Sequence, residues 1–150
     1  MKIVTIQKKY LRQYTVDKEM MQKAGRPCAL IIRLKYRGQR YDFAIPLRSN
    51  INASVPKNQY FPLPPRSTTR SGNRHGVHYT KMFPIDKSIA NRYRTEGNAF
   101  ATLVKKILDK NEKQIVSECQ YYLNEYEKGN KPLYSTDIDL LIQVMSNIKK

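Results

Sequence analysis

The sequence predicts an α+β protein: a twisted antiparallel β-sheet in the N-terminal part, covered by helices, with the C-terminal part helical. Three observations carry this. CALIIRLKY (28–36) and RYDFAIPL (40–47) are β-rich runs separated by only Arg37-Gly38-Gln39, which is hairpin spacing. Apolar stripes at helical period occur only beyond Asn98. Strand and helix patterns do not alternate along the chain, as a parallel βαβ sheet would require.

Taken in order, KIVTIQ (2–7) alternates polar and apolar residues and reads as a short strand. KKYLRQYTVDKEMMQKAG follows with partial helical character, and Gly25 is a plausible stop. After the hairpin, residues 48–74 read as one long irregular segment. Pro56, Pro62, Pro64 and Pro65 oppose a helix or a central strand there, while Tyr60 and Phe61 argue that part of it packs down. Segments of that length without regular structure are uncommon in compact domains unless they are functional or disordered. HGVHYTKMFPID resumes strand character up to Pro84.

The helical part begins with Phe100, Leu103, Val104, Ile107 and Leu108 on one stripe. Ile115, Cys119, Tyr122, Leu123 and Tyr126 form a second, closed by Gly129. Thr136 and Asp139 resemble a capping box for a third helix with Ile138, Leu141, Ile142, Met145 and Ile148 inward.

Charge narrows the function classes. The 150 residues carry 28 Lys and Arg against 12 Asp and Glu, a net +16. Residues 1–85 hold 17 basic and 3 acidic residues, and no acid lies between Phe43 and Ile85. Such a field attracts polyanions. The basic half contains no basic amphipathic helix of the membrane-surface type, which favours nucleic acid over a membrane. Arg33, Lys35, Arg37 and Arg40 of the hairpin read equally as a solvated sheet face or, if that face meets RNA, as contacts to phosphates rather than bases. No apolar run approaches a membrane span, the N-terminus lacks a signal peptide's apolar stretch, and Cys28 and Cys119 have no CxxC spacing. A cytoplasmic protein with reduced thiols is expected.

Nucleotide-cofactor motifs are absent, two Cys and two His are scattered, and the basic half has almost no carboxylates. No cofactor and no metal site are therefore expected, and a nuclease here would work without a metal. RNA permits this, because its 2′-OH attacks the neighbouring phosphate and leaves a 2′,3′-cyclic phosphate and a 5′-OH. The protein then has to move two protons and stabilise a crowded phosphorane. His75 and His78 are proton carriers by type, although surface histidines or polar core fillers are equally open readings. Lys35 or Lys81 in a positive field is a further candidate base.

The pieces KIVTIQKKYLRQY, CALIIRLKYRGQRYDFAIPLRSN and KMFPID, in this order, resemble the ToxN/AbiQ family of type III toxin–antitoxin endoribonucleases, with its CptN branch as the nearest group. Ile45-Pro46-Leu47-Arg48-Ser49 and Met82-Phe83-Pro84-Ile85 carry most of the likeness. The resemblance implies a MazF/Kid-like barrel-type core and a single endoribonuclease toxin domain over 1–150. It also implies a small structured RNA antitoxin processed by the toxin, closed assemblies in which RNA bridges toxin subunits, cellular or phage RNA substrates, and phage defence. Ser49 matches the strand-exit serine and Tyr10 the tyrosine after the first strand. Arg48 replaces a threonine of the pattern and becomes a candidate phosphate clamp. Arg26 stands near a family lysine, but a guanidinium does not serve as a base.

The expected site is thus Ser49, Arg48, Tyr10 and His78. RNA contacts are expected from Lys8, Lys9, Arg26, Arg33, Lys35, Asn50, Lys57, Arg66, Arg70, Arg74, His75 and Lys81. Two other readings fit the charge. One is a non-catalytic RNA-binding module, ribosome-associated or regulatory; the other is a MazF-type toxin with a protein antitoxin.

Overall fold

The computed structural model describes residues 1–6 and 28–148, with the side chains of Lys87 and Ile148 left aside. The helical expectation over 8–25 and the residues Lys8, Lys9, Tyr10 and Arg26 lie outside it. The described strands are β1 (Lys2–Ile6), β2 (Cys28–Tyr36), β3 (Gln39–Ile51), β4 (Tyr60–Leu63), β5 (Arg74–His78), β6 (Phe83–Pro84) and β7 (Ala90–Arg92). The helices α1 (Ala99–Lys110), α2 (Glu112–Glu127) and α3 (Ile138–Ile148) follow. Among the described residues the strands form one antiparallel sheet in the order β4-β5-β3-β2-β1-β7, with β6 beside β3.

The continuous apolar runs of β2 and β3 arise because the sheet is covered on both faces. On one face Leu30, Leu34, Phe43 and Ile45 pack with Val104 and Leu108 of α1 and Ile115, Cys119 and Leu123 of α2. On the other, Val4, Ile6, Ala29, Ala44 and Phe83 pack with Leu141 and Met145 of α3. Side chains alternate between faces, so burying both removes the polar half of the pattern.

The β2–β3 hairpin turns at Arg37 and Gly38, both with positive φ (49° and 78°), the geometry that matches strand twist. A non-glycine residue is strained there. Arg37 is held by an ion pair from its Nε to Asp139 of α3 at 2.9 Å and by its backbone N–H donating to Glu127. Beyond the reach of β1, the free edge of β2 is closed by the Gln120 amide. Its Oε1 accepts from Lys35 N–H at 2.9 Å, and its Nε2 donates to Lys35 C=O at 2.8 Å.

Four expectations are corrected. The segment 48–74 is less irregular than its prolines suggest, because β3 continues to Ile51 and β4 forms at the sheet edge, where Pro62 costs no inner ladder bond. Strand character does not run through 75–84, since a 3₁₀ turn at Tyr79–Lys81 separates β5 from β6. Thr136 and Asp139 do not form a capping box. Asp137 caps α3 by accepting from Leu140 N–H at 3.1 Å, while the Thr136 hydroxyl donates to Met82 C=O and Asp139 accepts from Tyr36 and Arg37. Leu103, on the first stripe, is 46% exposed; the sheet meets α1 through Val104 and Leu108 instead. Tyr60 and Phe61 are buried as expected, and Gly129 ends α2 with a φ of 99°.

Candidate functional site

The strand exit at the end of β3 is built by an unusually close three-strand junction. Leu47 faces Val77 and Arg48 faces Gly76 across the β3–β5 ladder, and Ile51 then faces Arg74. Three steps on β3 against two on β5 place one extra residue in the Ser49–Asn50 stretch, a bulge that interrupts the alternation of side chains. On the far side of β5, β4 approaches so closely that a Cβ on Gly76 would sit 2.4 Å from the Phe61 carbonyl oxygen. Gly76 is therefore required by space rather than by φ.

Arg48 lies beside a buried histidine. Its Nη1 is 3.5 Å from His78 Nδ1, and the other ring nitrogen, Nε2, is 2.9 Å from the Thr80 hydroxyl. A guanidinium only donates, so Nδ1 must accept and Nε2–H must donate to Thr80. Thr80 is fixed in turn, because its carbonyl accepts from Thr136 N–H at 3.0 Å. Burial pushes the His78 imidazole down to about 3, reinforced by the positive charges of Arg48 and then Lys81. His78 is thus neutral at physiological pH and does not shuttle protons as an imidazolium. What it offers is a fixed lone pair that orients the Arg48 guanidinium.

The remaining expected residues are spread around this exit. Ser49 lies in the bulge, half-buried. Asn50 is engaged by the loop above it: its Oδ1 accepts from Arg70 N–H at 2.7 Å and from Asn73 Nδ2 at 3.3 Å, and its Nδ2 donates to Thr68 C=O at 3.1 Å. Lys81 is buried, with Nζ donating to the Tyr134 carbonyl at 2.6 Å. Lys57, Arg66, Arg70 and Arg74 are exposed, as are Arg33 and Lys35 on the hairpin, where Arg33 pairs with Asp42 at 3.4 Å. His75 is buried on the opposite face of β5 from His78, so the two histidines do not act on one group. Sequence reasoning missed Thr80 and Gly76. The signal for Thr80 was its two-residue spacing from His78; Gly76 had none, because its neighbour Phe61 is distant in the chain.

No protein-family model matches the chain, and no curated protein matches it significantly. Solved structures do. One belongs to a bacterial antiviral system regulated by a processed non-coding RNA, at TM-score 0.77 and 17% identity over 100% of both chains. The chain has the fold of the ToxN/AbiQ toxins. AbiQ itself, a lactococcal anti-phage endoribonuclease of a type III toxin–antitoxin system, matches at TM-score 0.73 and 12% identity. That match covers 99% of this chain and 98% of AbiQ. A bacterial type III toxin–antitoxin structure, in which a non-coding RNA pseudoknot selectively inhibits the toxin, matches at TM-score 0.72 and 14% identity over the same shares. Among the described residues, no helix is long and apolar enough to cross a membrane, and no three His, Cys, Asp or Glu side chains gather as a metal-binding group.

Proposed function

We propose that the protein is the endoribonuclease toxin of a type III toxin–antitoxin system, a single catalytic domain of the CptN branch that cleaves RNA without a metal. The observation that carries this reading is the end-to-end likeness to AbiQ, which leaves essentially no part of either chain unmatched. The strongly basic, acid-free stretch before Ile85 supports an RNA substrate.

In the proposed reaction the ribose 2′-oxygen loses its proton and attacks the adjacent phosphorus. The bond to the 5′-oxygen breaks, and that oxygen takes up a proton. Arg48 would stabilise the charge that develops on the phosphorane, held in position by neutral His78. Ser49 would hydrogen-bond a phosphate oxygen, and Tyr10 would position the RNA or move a proton. Exposed Lys57, Arg66, Arg70, Arg74, Arg33 and Lys35 would grip a small structured RNA antitoxin, together with Lys8, Lys9 and Arg26. That RNA would be processed by the toxin and bridge toxin subunits in a closed assembly in the cytoplasm, releasing the toxin onto cellular or phage RNA during phage defence.

The test is purified protein with RNA in excess EDTA, reading the product ends. Cleavage to 2′,3′-cyclic phosphate and 5′-OH ends is the expected result. Loss of all cutting in EDTA would overturn metal independence. RNA binding without cleavage in any buffer would instead identify a non-catalytic RNA-binding module. Arg48→Ala should lower kcat by about 10²–10³-fold, the loss typical of one donor to a developing anion, and an unchanged rate would remove Arg48 from the site.

A further inference from the structure

On the face of the sheet opposite Arg48 lies a cavity of about 330 Å³, bordered by the Leu47 end of β3, His75 of β5, the loop at Arg66 and Ser67, and the start of α1. We propose that this cavity binds one unstacked nucleobase of a single-stranded RNA. The inference rests on the RNA-binding part of the function proposed above and adds a site to it.

The cavity's size falls at the lower end of the range for small-ligand sites, about 300–1,000 Å³. Its chemistry suits a base better than a purely apolar ligand. His75 is only 2% exposed, and its Nδ1 is fixed 2.7 Å from the Pro64 carbonyl. A carbonyl only accepts, so Nδ1 carries the hydrogen and Nε2 carries a lone pair. That Nε2 is buried without a hydrogen-bond partner. His75 borders the cavity, and an N–H on the Watson–Crick edge of a base is the kind of donor its unpaired acceptor would take once the ring turns toward a ligand.

The aromatic wall is Phe100. Its ring lies 6.0 Å from the His75 ring at an interplanar angle of 32°, and the Arg66 guanidinium stands 5.7 Å over its face. Aromatic and guanidinium planes are the surfaces on which RNA-binding proteins stack splayed bases. Ile3, Leu47 and Val104 supply apolar walls, and Arg66 with the N-terminal end of α1 favours the attached phosphate. Because the cavity and Arg48 flank opposite faces of one strand end, a base held here would anchor RNA beside the cleavage site without occupying it.

The experiment compares binding of two fluorescent probes to the full chain at fixed salt. One is a short single-stranded 2′-O-methyl RNA, which lacks the attacking hydroxyl; the other is the same backbone with abasic positions. Wild type should prefer the base-bearing probe, and Phe100→Leu should weaken that probe by about 5- to 150-fold, the worth of one stacked base, while leaving the abasic probe unchanged. Ala101→Leu, which fills the cavity from α1 without removing a wall, should do the same and covers the case in which Phe100→Leu fails to fold. Equal affinity of wild type for both probes, or parallel losses in both, would overturn the base site while leaving RNA binding standing. Failure to bind either probe would overturn the RNA-binding reading itself.

Discussion

Replacing His78 by Gln should flatten the acid dependence of stability, and the size of the change follows from the site. In the folded protein the His78 imidazole is held down to about 3, against about 6.5 for an exposed histidine. The unfolded chain therefore binds a proton here, over the interval between those values, that the folded chain refuses. Stability is fully present above pH 6.5 and falls as the pH drops toward 3. By linkage this one group removes about 2 kcal/mol between pH 7.5 and 5, and about 4–5 kcal/mol by pH 3. His75 is also lowered by burial and contributes with the same sign. Asp109, Glu125 and Asp139 are held low by their partners, so their contributions fade only under more acidic conditions. The interval from pH 5 to 7.5 thus isolates the histidines. Gln keeps a donor for Thr80 and removes the titration. Urea unfolding at the two pH values should show the variant losing about 2 kcal/mol less than wild type, a midpoint difference of about 1 M at ordinary slopes. Identical losses in the two proteins would refute the neutral, buried assignment of His78.

Gly76→Ala should destabilise the fold by about 1–3 kcal/mol, because its Cβ would meet the Phe61 backbone rather than a side chain that can move aside. A melting temperature equal to wild type would contradict the close β4–β5 approach. Asn50→Ala should free the loop it holds through Thr68, Arg70 and Asn73, costing about 1–2 kcal/mol and speeding trypsin cleavage after Arg66, Arg70 or Arg74. Cleavage at the wild-type rate would show that the loop is held by other contacts. Thr80→Val removes the acceptor of His78 Nε2–H and leaves a buried donor unpaired. It should cost about 1–3 kcal/mol and, if His78 orients Arg48, lower kcat more than it raises KM; a purely structural residue would spare kcat in the folded fraction.

The sequence by itself determined the layers of the molecule. Hydrophobic period is a local property, so the β2–β3 hairpin and the three C-terminal helices were legible, as was Gly129 at the end of α2. The charge asymmetry was legible for the same reason, and order along the chain was enough to suggest a ToxN/AbiQ likeness that the fold supports. What tertiary structure decided were the features that depend on neighbours far apart in the chain. Leu103 sits on a stripe that looked apolar throughout, yet only contact with the sheet determines which of its residues are covered. Asp139 read as a capping residue and is drawn away by Tyr36 and Arg37, some hundred positions earlier. The Arg48-Ser49 pair announced itself as a polar break after an apolar run, but the buried imidazole behind Arg48 comes from β5 and is neutral because of what surrounds it. His75 and His78 stand three residues apart, and both read as proton carriers by residue type, although only His78 was placed in the expected catalytic set. The pleat of β5 sends them to opposite faces, one to hold an arginine and the other to line a cavity.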